Sequence, residues 1–200
     1  MLKLNDVFWT LQGEGHFSGR RALFVRLPFC NYDCPWCDTE YNSYKDWTEE
    51  VFVEFAKQEP ARFAVITGGE PLVNKQLHRI VGLLKDLDFY IACETNGSAP
   101  AHEDIDFVTT SPKQYTKGHF NPFFIHPEIV PRTSEWKYVV DSNFDFSVLD
   151  RHQPLSDQIY YSLSPEFQNM QENTRKIITY IKEHPRWQLS LQSHKWIDIP

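Results

Sequence analysis

Two hundred residues, 41% hydrophobic and 15% aromatic, suffice for one full core, and a single domain over residues 1–200 is expected. With 27 acidic against 20 basic side chains the formal charge is −7, which argues against a broad phosphate-binding face and so for a small substrate and no nucleic-acid partner. Met1-Leu2-Lys3-Leu4-Asn5-Asp6 lacks the basic head and apolar run of a secretory signal, and no stretch approaches a membrane span. Three of the four cysteines crowd one loop rather than forming an even disulfide framework, so the expected place is the cytoplasm, with no membrane partner.

The first informative stretch is Thr10-Leu11-Gln12-Gly13-Glu14-Gly15, where glycines permit a turn with close backbone approach. Taken alone it reads as a hairpin turn, one able to present Gln12 and Glu14 to a ligand. Residues 22–27 read as a buried first strand broken only by Arg26, which is costly there without an anionic partner. Arg26 is thus a candidate anion clamp, with a structural salt bridge as the alternative. Cys30, Cys34 and Cys37 follow at once in the pattern CxxxCxxC. Three thiolates on one short loop suit a cubane iron-sulfur cluster whose fourth iron has no protein ligand. The alternatives are a zinc loop completed by a distant histidine and a buried thiol cluster. Cys93 lies far off, inside an apolar run.

Thr48 reads as the cap of a helix with Glu49 and Glu50 in its first turn and Val51, Phe52 and Phe55 as apolar residues, stopped by Pro60. A strand over 63–67 runs into Gly68-Gly69-Glu70-Pro71. Leu77, Ile80, Val81, Leu84 and Leu87 give a second helical stripe, and a strand over 89–93 leads to Glu94-Thr95-Asn96-Gly97. Strand, helix, strand, helix, strand means a parallel α/β sheet with right-handed crossovers. A strand over 105–110 leads to Ser111-Pro112-Lys113, after which residues 114–134 show no helical period. Residues 135–140 alternate, with Trp136, Tyr138 and Val140 on one face. Further strands are expected over 159–163 and 187–192, around a helix over 169–183. Six or seven strands are too few for a closed eight-stranded barrel, so the expected fold is an open partial (β/α) barrel with an abbreviated second half. His16, His119 and His126 show no metal-ligand spacing and read as surface or loop residues.

With the triad after the first strand, GGEP after the second and ETNG after the third, the chain resembles the radical S-adenosylmethionine enzymes. More closely it resembles the 7-carboxy-7-deazaguanine synthase family. The matching blocks are residues 11–15, 30–39, 67–72, 94–97, 111–113, 136–140 and 187–200, spread over nearly the whole chain. CxxxCxxC identifies only the superfamily, whereas Gln12-Gly13-Glu14-Gly15, Cys37-Asp38-Thr39 and residues 190–195 together are specific.

The resemblance implies that Cys30, Cys34 and Cys37 bind a 4Fe-4S cluster whose open iron is chelated by S-adenosylmethionine, and that reductive cleavage of the sulfonium gives methionine and a 5′-deoxyadenosyl radical. It implies cofactor contacts at Trp36, Cys37, Asp38, Gly69, Ser111, Pro112 and Lys113, with Glu70 beside the methionine amino group and Glu94 and Asn96 as further candidates. The implied substrate is 6-carboxy-5,6,7,8-tetrahydropterin, which loses ammonia as its reduced ring contracts. Leu11, Gln12, Gly13, Glu14, Thr67 and Pro200 would meet it, and Arg26 would take its carboxylate. Thr39 would ligate Mg2+ bridging to that carboxylate. A flavodoxin or ferredoxin as reductant and a homodimer are further expectations of the resemblance, as is a tail that folds back on the substrate. One departure is Ser164-Pro165-Glu166, where the family often has Gln-Pro-Met. Competing readings are an activase that installs a glycyl radical on a partner protein, and a non-enzymatic iron-sulfur or zinc module.

Overall fold

The computed structural model describes residues 1–116, 118, 121–152 and 158–200. His119 lies outside the described residues. The chain opens with β1 (Leu2–Leu4), β2 (Asp6–Leu11) and β3 (Arg21–Leu27). There follow β4 (Lys45–Trp47), α1 (Glu49–Lys57), β5 (Phe63–Gly68), α2 (Leu77–Lys85), β6 (Tyr90–Thr95) and β7 (Phe107–Thr110). The second half holds β8 (Glu135–Val140), β9 (Tyr160–Pro165), α3 (Met170–Glu183), β10 (Gln188–Leu189) and α4 (Ser193–Ile197).

Eight strands form one open sheet in the order β10-β9-β8-β7-β6-β5-β3-β2, parallel from β3 onward, with β2 antiparallel at the edge. Seven parallel strands agree with the sequence-based expectation of an open architecture; β1 and β4 make a separate two-stranded ladder. The antiparallel β2 is not expected from the sequence, where its Thr10-Leu11 end reads as part of the following turn. The expected strand over 187–192 shrinks to Gln188–Leu189, since the chain turns inward at Ser190 and then forms α4, a helix of one turn or so that no period announces. Residues 114–134 contain no α-helix among those described, only a 3-10 turn over Pro127–Arg132.

Side-chain alternation sorts the sheet into two faces. Leu23, Val25, Leu27, Ala64, Ile66, Ile91 and Cys93 join the core under α1 and α2, each large side chain there being worth about 2 kcal/mol on burial. Trp136, Tyr138, Val140 and Leu163 pack in the second half with Ile177 of α3 and Trp187. The other face carries Ala22, Phe63, Val65, Ala92 and Phe107 toward the amino ends of the strands. Arg26, Thr67, Glu94 and Lys137 continue these same alternations toward the carboxyl ends, so the apolar floor gives way to polar groups where the strands stop. α1 forms as its signals require: Thr48 Oγ1 accepts from the Val51 N–H at 3.2 Å, Glu49 and Glu50 sit at the positive end of the dipole, and Phe52 and Ala56 are buried.

Candidate active site

A cavity of about 560 Å³ opens at the carboxyl ends of the parallel strands, where α/β sheets carry their sites. One wall is the loop between β3 and β4. Its base is closed by the Phe29 N–H donating to the Tyr41 carbonyl at 2.7 Å, with Phe29 at a positive φ of 70°. Asn31 ties the loop to the turn after β6, donating to Ser98 Oγ and accepting from Asn96 Nδ2, both at 2.9 Å. Cys30, Cys34 and Cys37 all line the cavity. Burial, and the charges of Glu70, Cys34 and Cys37, push the Cys30 thiol up to about 11 against a bond from the Tyr32 N–H. Among the described residues no three His, Cys, Asp or Glu side chains converge on one ion position. Three thiols from one short loop are the donor set that a cubane cluster with one open iron takes. Cys93 is wholly buried in the core behind the sheet, where burial raises its pKa well above that of a free thiol, and it offers no fourth ligand.

Opposite the loop, Gly68 and Gly69 end β5. A Cβ on Gly68 would strike the Leu27 carbonyl, and one on Gly69 the Phe29 carbonyl, so the strand end lies against the cysteine loop only because both are glycine. The Glu70 carboxylate is fully buried and accepts from the Leu72 N–H, Thr95 Oγ1 and the Asn96 N–H at 2.9, 2.6 and 2.6 Å. It knits two loops together and does not reach the cavity. Lys113 donates to Ser111 Oγ at 2.6 Å and stands 5.6 Å from the Trp36 ring centre; burial lowers its pKa.

Arg26 sits on the sheet floor, paired in register with Thr67. Its Nε is buried without a hydrogen-bond partner, and no ion pair engages it among the described residues. The structural salt bridge is therefore not what it makes. The half-buried guanidinium stands 5.5 Å from the Phe8 ring centre, and the Nε–H left without an acceptor is what a bound anion would satisfy. Elsewhere on the same cavity wall, Lys137 Nζ lies 3.0 Å from Glu14 Oε2 and 2.8 Å from Glu94 Oε2. Burial opposes the Lys137 charge, but Glu14, Glu94 and Glu135 outweigh it and raise its pKa above the usual lysine value. The two carboxyls respond in opposite senses. Burial works against the Glu14 charge, yet Lys137, Gln192 and His194 hold its pKa down to about 2. Burial pushes Glu94 up, and nearby Glu135 and Glu14 add to this against Lys137.

The tail completes the wall. Ser193 donates to the Gly13 carbonyl through both N–H and Oγ at 3.0 Å, and Lys195 pairs with Asp38 of the cysteine loop. A Cβ on Gly13 would fall on the His194 ring. Thus Leu11, Gln12, Gly13, Glu14, Arg26, Thr67 and Pro200, and Trp36, Asp38, Thr39, Gly69, Ser111 and Lys113 with the three cysteines, share one cavity. Pro112 is buried but off its wall. Ser164 and Glu166 are also off the wall; Glu166 instead accepts from the Gln168 and Asn169 N–H groups at 2.5 and 3.1 Å, just before α3. Sequence reasoning missed Lys137, which read only as the polar phase of a strand, and gave no role to His194 or Lys195. The fact that all three fall in blocks matching the resemblance was the one signal available.

Comparison with known proteins agrees with the geometry. A model of the radical SAM superfamily matches residues 24–115. A 7-carboxy-7-deazaguanine synthase of Haemophilus influenzae is 34% identical over 97% of this chain and 92% of its own length. One from Bacteroides thetaiotaomicron is 34% identical over 100% and 99%. The crystal structure of QueE from Escherichia coli superposes with a TM-score of 0.79 at 28% identity, covering 96% of this chain and 94% of that one. Identity sustained over full lengths, with the fold and the cysteine triad in place, means that the chain belongs to the 7-carboxy-7-deazaguanine synthase family of radical SAM enzymes.

Proposed function

We propose that the protein converts 6-carboxy-5,6,7,8-tetrahydropterin to 7-carboxy-7-deazaguanine with release of ammonia. The observation that carries this reading is the joining, in one cavity, of three thiols on one wall and, on the floor, Arg26, whose buried Nε has no hydrogen-bond partner. Cys30, Cys34 and Cys37 would hold the 4Fe-4S cluster, which with bound S-adenosylmethionine supplies the radical that abstracts hydrogen from the substrate. Gly69 lets backbone approach the methionine part, while Trp36, Asp38, Ser111 and Lys113 surround the adenosyl part. Arg26 takes the substrate carboxylate in a charge-assisted bond, and Gln12 and Glu14 accept from the N–H edge of the pterin. Thr67 stands level with Arg26, and Leu11, Gly13 and Pro200 close the pocket around the ring. Thr39 would serve as a magnesium ligand, with substrate and water filling the remaining positions. The pocket size and the net charge of −7 support a small-molecule substrate without nucleic acid, supplied with electrons by an external flavodoxin or ferredoxin. No helix among the described residues is long and apolar enough to cross a membrane. A cytoplasmic homodimer completes the proposal.

The test is anaerobic reconstitution with iron and sulfide, then incubation with the pterin, S-adenosylmethionine and dithionite and product analysis by mass spectrometry. Deazapurine and ammonia are expected, and replacing any of the three cysteines by alanine should abolish both along with most of the iron. Zinc in anaerobically purified protein, or cleavage of S-adenosylmethionine with the pterin unchanged, would overturn the reading.

A further inference from the structure

Lys137 has no part in the assignments above, yet it stands at the centre of the cavity's polar network. Its side chain is 8% exposed, and its ammonium is shared between Glu14, in the turn after the edge strand β2, and Glu94, in the central strand β6. Each carboxylate is fixed by a second contact. Glu14 Oε1 accepts from Gln192 Nε2 at 2.8 Å, and Glu94 Oε1 accepts from Gln12 Nε2 at 3.3 Å. The result is a continuous chain, Gln12 to Glu94 to Lys137 to Glu14 to Gln192, running across the cavity with one cation in the middle.

We infer that Lys137 is a positioning residue for the heterocycle: by bridging Glu14 and Glu94 it keeps two carboxylates at a set spacing as acceptors for ring N–H donors, and leaves Arg26 as the anchor for the substrate carboxylate. This deepens, and rests on, the pterin assignment made above. Two buried carboxylates this close to a common point repel each other without a cation between them. Removing Lys137 makes one of them take up a proton, which turns an acceptor into a donor facing the wrong edge of the ring. A lysine suits the place because its ammonium is a compact point charge that fits between two carboxylates. Its charge is also balanced: paired with two carboxylates, it competes poorly with Arg26 for an incoming anion, so a substrate bearing one carboxylate has one way to lie. Glu135, two residues along the same strand, does not share this role. Its carboxylate accepts from the His16 N–H and Thr109 Oγ1, both at 3.2 Å, and from Ser162 Oγ, below the cavity floor.

The experiment uses reconstituted enzyme under dithionite, with KM for the pterin and for S-adenosylmethionine, kcat, and the ratio of 5′-deoxyadenosine to deazapurine measured in parallel. Lys137→Met should raise the pterin KM about tenfold or more and raise that ratio above the wild-type value, with the KM for S-adenosylmethionine moving less than about twofold. Lys137→Arg should recover part of the pterin KM. Lys137→Met/Glu94→Gln, which removes the repulsion, should regain the melting temperature lost in the single variant while its pterin KM stays high. A double variant whose pterin KM returns together with its stability would make Lys137 merely structural and overturn the inference, as would a Lys137→Met enzyme with an unchanged pterin KM. If wild type forms no deazapurine from the pterin, the functional assignment falls and this inference with it; if wild type turns over and only the Lys137 results fail, the inference alone falls.

Discussion

At the residue scale, Glu14 is a side chain whose chemistry is set by its neighbours. Its carboxyl is drawn from the ordinary 4.5 to about 2, mainly by Lys137 against the cost of burial. A depressed folded-state pKa contributes stability that is fully present above the unfolded pKa and is lost as pH falls through the folded value. The window is therefore pH 4.5 down to 2, and the amount is of order 3 kcal/mol for a shift of this size. Denaturant unfolding across that range should show the parent losing stability that a Glu14→Gln variant does not lose; parallel curves would refute the assignment. The residue types at Gln12, Glu14 and Arg26 were legible in sequence, since an amide, a carboxylate and an arginine stand out in a glycine turn and an apolar strand. Lys137 was not, because alternation with Trp136 and Tyr138 is satisfied by any polar residue.

At the element scale, the helices with caps and stripes read true, and the short tail did not. α1 is encoded by Thr48, two glutamates and an apolar stripe. α4 has five residues, no side-chain cap bond and the exposed Trp196 and Ile197, and its place is set by what it docks against. That docking depends on Gly13, whose missing side chain leaves room for the His194 ring, and on the paired bonds from Ser193. Gly13→Ala should push α4 off the turn before β3 and depress product formation about tenfold or more, with iron content unchanged. Steady-state kinetics and iron analysis together check this; full activity in the variant would show that the tail does not shape the site.

At the scale of the whole molecule, an open sheet gathers loops from both halves of the chain around one cavity, so ligand binding bears on global stability. S-adenosylmethionine at about 100 times its dissociation constant should add about 2.7 kcal/mol. For a chain of this length that is a rise of roughly 5–10 °C in melting temperature. Anaerobic scanning fluorimetry should find this shift in cluster-loaded protein and a much smaller one in iron-free protein, because the open iron would hold the methionine end of the ligand while Trp36 and Asp38 meet only its adenosyl part. Equal shifts in both would place the nucleotide elsewhere.

What the chain determined by itself was local: periods of two and 3.6, the Thr48 cap, glycines where backbones must touch, and three thiols close enough in sequence to share a cluster. From these follow the succession of elements, the parallel sheet and the family. Only tertiary structure decided that Glu70 turns inward, that Arg26 Nε is buried without a hydrogen-bond acceptor, and that Lys137 meets a carboxylate 123 residues away. Those facts are distances between remote segments, fixed by strand order, register and the return of the tail, and no local pattern of side chains carries that information.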